Sequence, residues 1–82
     1  MSEVLVGSRT LLGQRYEYCL LREIISGRVG YGLKIRTGRE EAVIRDVGCI
    51  REEVFALAET LVRCAVTPVT LRDVVEDWLG RD

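Results

Sequence analysis

The sequence predicts an α+β fold: a four-stranded antiparallel meander (β-β-β-β-α-α) with two C-terminal helices packed on one face, in two layers. Three observations carry this. Before Asp46 the apolar residues recur at every second position, whereas after Ile50 they recur every three or four. The segments between the period-two runs are too short for crossovers, which leaves hairpins between neighbouring strands. Both helical stretches carry one apolar stripe, so both must be buried against another layer. The expectation is a single α+β domain over residues 1–82, with the sheet at about 3–47 and helices at about 49–65 and 70–80.

The first strand starts at Val4-Leu5-Val6 and runs toward Leu11 or Leu12, with Gly13-Gln14 as the expected turn. From Arg15 to Ile25 the second strand puts Tyr16, Tyr18, Leu20 and Ile24 on one face and Arg15, Glu17, Cys19, Leu21 and Glu23 on the other. The doublets Leu20-Leu21 and Ile24-Ile25 blur that alternation and suggest a bulge there. Ser26-Gly27 is the next turn. The third strand alternates most cleanly: Val29, Tyr31, Leu33 and Ile35 against Arg28, Gly30, Gly32, Lys34 and Arg36. Thr37-Gly38 turns into a fourth strand, Glu40 to Val47, carrying Ala42, Val43 and Ile44.

Ile50, Val54, Leu57, Ala58, Leu61, Cys64 and Ala65 follow one helical face, with Glu52 and Glu53 in the first turn and Arg63 in the last, as the helix dipole favours. Glu59 and Arg63 are spaced for an i,i+4 pair. After Pro68, Thr70 reads as an N-cap with Asp73 three residues on. Leu71, Val74, Val75, Trp78 and Leu79 form the second stripe, and Gly80 is the stop.

Enzyme chemistry lacks parts. The chain has no histidine, and none of Ser2, Ser8 and Ser26 has nucleophile-elbow surroundings. Gly27, Gly30 and Gly32 spell Gly-x-x-Gly-x-Gly, but in a strand, without the helix N-terminus that a phosphate cradle needs. Asp73, Glu76 and Asp77 on the polar side of the last helix are explained by solvation. Cys19, Cys49 and Cys64 are an odd number, widely spaced, and read first as core fillers, second as a redox or intermolecular pair. The expectation is therefore no enzyme, no cofactor, and neither catalytic nor metal-binding residues. No apolar run approaches the ~20 residues of a membrane span, and the N-terminus lacks signal-peptide features, so a cytoplasmic address is expected.

Charge is unevenly spread. Residues 1–45 hold eight basic and five acidic groups, whereas residues 46–82 hold four and eight. The sheet is thus mildly basic and the helical half acidic, and Arg28, Lys34 and Arg36 would project around Gly30 and Gly32 on the face away from the helices. These five residues are the candidate ligand or partner face, where bare glycine backbone lets a flat ligand approach. The competing explanation is that the glycines accommodate sheet twist or a neighbour's bulky side chain and the arginines only solubilise. Phe55, Val62 and Trp78 are the candidate interface on the helices; Phe55 and Val62 either widen the buried face or meet a second copy. An open meander also leaves two strand edges that recruit partners.

The run Val-Thr-Pro-Val-Thr-Leu-Arg-Asp-Val-Val-Glu-Asp-Trp-Leu, Val66 to Leu79, resembles the ending of a family of small uncharacterised proteins from anaerobic Firmicutes, a domain of unknown function. The order of a Tyr-rich strand, Tyr31-Gly32 in the next, and an acidic amphipathic helix is similar too. The resemblance implies a bacterial cytosolic protein and carries over no catalytic residue. The leading expectation is a non-enzymatic protein–protein interaction module that self-associates as a homodimer. The alternative is a nucleic-acid or anionic-ligand module using the basic sheet face, including a phage or mobile-element inhibitor of a host nuclease.

Overall fold

Two-residue loops lay out the sheet. The computed structural model describes residues 1–80, so the last two positions of the expected domain lie outside the described residues. Its strands are β1 (Ser2–Leu11), β2 (Gln14–Ile25), β3 (Arg28–Thr37) and β4 (Glu40–Gly48), in the order β1-β2-β3-β4 with every neighbour antiparallel. At Leu12-Gly13 (φ 49 and 81) and Ser26-Gly27 (φ 51 and 82) both loop residues have positive φ, the requirement of the hairpin turn that matches strand twist. The first turn thus falls one residue earlier than expected and leaves Leu12 fully exposed.

The helices are α1 (Arg51–Arg63) and α2 (Leu71–Leu79). α1 crosses the sheet and touches all four strands, while α2 lies along β4. Between the layers sit Tyr18, Leu20, Leu33 and Ile35 from the sheet, Val54, Leu57, Ala58 and Leu61 from α1, and Leu71 and Val75 from α2. The alternation of β3 is realised: Leu33 and Ile35 are completely buried, with Tyr31 packed against them.

Local details depart from expectation for identifiable reasons. β2 runs in unbroken register against β3, and the irregularities lie instead in the edge strands, between Leu5 and Gly7 in β1 and opposite Gly32 in β4. Leu21 is buried although it points away from the helices, so the Leu20-Leu21 doublet reflects two buried faces rather than a bulge, whereas Ile24 of the second doublet is largely exposed. α1 ends at Arg63, before the expected last turn. Ala65 adopts φ 52, its N–H bonding to the Val62 carbonyl and that of Val66 to Leu61, the paired pattern of a left-handed C-terminal cap. Arg9 on β1 donates to the carbonyls of Val62 and Arg63, both at 3.3 Å, closing the same helix end. Thr70 precedes α2 in helical geometry and makes no side-chain cap bond; its hydroxyl donates to the Thr67 carbonyl instead. The Arg63 guanidinium is bonded to the Thr60 hydroxyl at 3.4 Å, not to Glu59.

Candidate functional site

The sheet face away from the helices displays Arg28, Lys34 and Arg36, as the alternation requires, but each meets a carboxylate. Arg28 forms two bonds to Asp46, at 3.1 and 2.7 Å. Lys34 Nζ lies 3.0 Å from Glu3 and 3.3 Å from Glu41. Arg36 is held by Glu17 at 2.8 Å and reaches Glu3 at 3.4 Å. Arg15 joins Glu17, and Arg45 joins Glu23 at 2.7 Å. Five bases and five acids, drawn from all four strands, therefore interlock on one surface.

Three of these pairs skip a strand, the contacts of Glu3 with Lys34 and Arg36 and that of Arg45 with Glu23. Glu3 on β1 reaches Lys34 on β3 across β2, where Cys19 is small enough to pass; its Sγ sits 3.7 Å from Glu3. Arg45 on β4 reaches Glu23 on β2 across the glycines of β3. The glycines are not bare platforms. A Cβ at Gly30 would stand 2.7 Å from Ile25 Cδ1 and 2.9 Å from Asp46 Oδ1; one at Gly32 would stand 2.5 Å from the Ile44 carbonyl oxygen. Both positions are buried. They make room for a neighbour's side chain and for the β4 irregularity, where Asp46 itself takes φ 54.

The pairing shifts ionisation in the expected directions. A hydrogen bond from Lys34 holds the Glu3 carboxyl below its usual range, and Arg45 and Arg28 do the same for Glu23 and Asp46. The partners Lys34, Arg28, Arg36 and Arg45 are held charged to higher pH. Burial, followed by the Glu3 charge, pushes the Cys19 thiol up, which disfavours a reactive thiolate. Cys49 and Cys64 are free and exposed, so the core-filler expectation holds for Cys19 alone. Among the described residues, no group of three or more His, Cys, Asp or Glu side chains is placed to hold a metal ion.

On the helical side, Phe55, Val62 and Trp78 all pack against the core while remaining partly accessible. The structure does not bring them together into one surface feature. Arg51 lies over the Phe55 ring, 5.2 Å from its centroid. Val62 stands above Gly7, whose absent side chain it replaces at 3.1 Å. Trp78 lines a shallow groove of about 170 Å³ between α1 and α2, with Ala56, Leu57, Thr60, Val74 and Asp77.

Sequence reasoning named both sheet edges only in general terms. β1 has half-exposed Val4 and Leu5, but its irregularity at Val6 interrupts the edge midway. β4 offers Glu40 to Arg45, with Val43 at 39% exposure in the middle. Beside it the α1–α2 connection leaves two adjoining hollows of about 370 and 380 Å³, sharing Ala42, Pro68 and Val69. Val69, at 82% exposure, projects there. No sequence signal pointed to Val69, because a lone valine in a turn has no periodicity to read.

Compared with protein families, residues 4–81 match one described as a family of unknown function, DUF6514. The chain belongs to this family. The match runs from within β1 through both helices, so the domain family embraces both edge strands and every paired charge described above except Glu3. No curated protein and no solved structure matches the chain. No helix among the described residues is long and apolar enough to cross a membrane.

Proposed function

We propose that this chain is a non-enzymatic protein–protein interaction module that self-associates through the edge of its sheet. The observation that carries this reading is the β4 edge. From Glu40 to Arg45 one side of the strand faces no neighbouring strand among the described residues, and an accessible valine stands in its middle. Unpaired edge N–H and C=O groups are a template for another strand. A bacterial, cytoplasmic setting accompanies this reading; three free thiols in a small chain support a reducing compartment.

Charge pairing weighs against the nucleic-acid alternative. Nucleic acid binds where unpaired cationic side chains neutralise phosphates and release their condensed counterions to solution, and here Arg28, Lys34 and Arg36 already hold carboxylates that would have to be released. Sedimentation equilibrium over a wide concentration range tests the proposal. A concentration-dependent rise in mass toward a dimer is expected. A strict monomer at high concentration would remove the reading.

A further inference from the structure

The β4 edge is complementary to itself in one register. We propose that two copies pair β4 with β4 antiparallel about a two-fold axis through Val43; this rests on the self-association reading and names its surface. In an antiparallel ladder directly opposed residues share a face. With Val43 opposite its own copy, Glu41 falls opposite Arg45 of the second molecule and Arg45 opposite its Glu41, while Ala42 and Ile44 oppose each other on the helix side. Glu41, Val43 and Arg45 lie at alternate positions, and Glu41 and Val43 are registered opposite the outward-facing Arg36 and Lys34. The pairing therefore sets two opposite-charge contacts around a central valine pair, each of the kind that stabilises a cross-strand contact. The Glu41 and Arg45 side chains keep 52% and 63% of their exposure despite their ties to Lys34 and Glu23, so each has room for a second partner.

The helix side supplies the rest of the contact. Five paired residues per strand, Glu41 to Arg45, fall well short of the ~1,600 Å² of a standard interface. Next to the edge, the hollows bounded by Ala42, Ile44, Pro68 and Leu71 flank the exposed Val69. The two-fold axis brings each Val69 toward the hollow of the other copy. β1 offers no equivalent: its irregularity at Val6 interrupts the edge, and on the face away from the helices Glu3 has no basic residue of β1 to oppose.

The test exploits the symmetry. Alone, Glu41→Arg opposes arginine to Arg45 twice in each dimer, and Arg45→Glu opposes Glu41 to an introduced glutamate twice. Each variant should therefore dimerise about tenfold or more weakly than the parent chain. Mixed, the two variants should form a one-to-one heterodimer with both contacts restored, read by sedimentation and native mass spectrometry. Any cost from the lost Lys34 or Glu23 ties is present before mixing and cannot produce the recovery. Melting curves of each variant establish that both remain folded. As a second measurement, Val43→Cys with Cys49→Ser and Cys64→Ser should cross-link under mild oxidation, because opposed Cα atoms in a ladder lie within disulfide reach. Recovery of the heterodimer, or rapid cross-linking, supports the proposal. If the single variants dimerise as the parent does, or their mixture stays monomeric without cross-linking of the third variant, the β4 register is overturned while self-association through another surface stands. A monomeric parent chain overturns both.

Discussion

At the residue scale, Gly32 shows how a neighbour's backbone can dictate one side chain. The position sits opposite the β4 irregularity, and a methyl group there would meet the Ile44 carbonyl oxygen at 2.5 Å and Arg45 Cα at 3.1 Å. Both obstacles are main chain, so relief requires moving β4 rather than turning a rotamer. Gly32→Ala should destabilise the fold by about 2–3 kcal/mol, the range for overpacking a site with little room. Gly38→Ala is the internal control, since nothing lies within 4 Å of the place its methyl group would take, and it should stay within about 0.5 kcal/mol of the parent. Urea denaturation of the two variants separates the outcomes; equal midpoints would show that the β4 irregularity yields freely. In the sequence the glycine was visible as an interruption of a basic face. Its cause was not, because the obstacle comes from a carbonyl on the next strand, whose position depends on the left-handed Asp46.

At the element scale, the periodicities were legible because each element has one dominant buried face. The alternation of β3 and the stripe of α1 follow directly from which side chains must leave water. Element ends were less legible, since competing local bonds decide them. Cys64 and Ala65 continue the apolar spacing of α1, yet the helix stops at Arg63 because Tyr18 and Arg9 take up carbonyls beyond and at that point. The Tyr18 hydroxyl donates to the buried Val66 carbonyl at 2.8 Å, and Arg9 serves Val62 and Arg63. The chain must then reverse at Ala65, where a residue with a Cβ adopts φ 52. Glycine is the residue normally found at such a cap. Ala65→Gly should therefore stabilise the protein by about 0.5–1 kcal/mol, offset in part by the added freedom of the unfolded chain. A rise in melting temperature checks this; a fall would mean that packing of the Ala65 methyl outweighs the relief of backbone strain.

Across the whole molecule, the charge distribution separated cleanly along the sequence but not in space. The basic first half of the chain suggested a cationic face, and the acids among residues 1–45 were too few to cancel it. In three dimensions Asp46 from beyond that segment closes on Arg28, and Glu3, Glu17, Glu23 and Glu41 converge on the same surface as Arg15, Lys34, Arg36 and Arg45. Strand register brings together groups far apart in sequence, which composition by halves cannot show. The consequence is a defined pH response. Glu3, Glu23 and Asp46 have folded-state pKa values below their unfolded ones, so the unfolded chain takes up protons first as pH falls. Their contribution is complete above the unfolded carboxylate range and is lost as pH drops through it and below the depressed folded values. The raised values of Lys34 and the three arginines work in the opposite sense, and their contribution fades only in strong alkali. Stability should therefore hold through neutral pH and decline between about pH 5 and 2. Added salt should shrink the difference between neutral and acid stability, because these pairs are partly exposed and screened. Denaturation midpoints measured across that range, at low and high salt, test the network as a unit. If acid leaves the midpoint unchanged, the interlocked charges contribute nothing to holding the four strands together, and a face free to exchange its carboxylates for another anion would return as the better account of Arg28, Lys34 and Arg36.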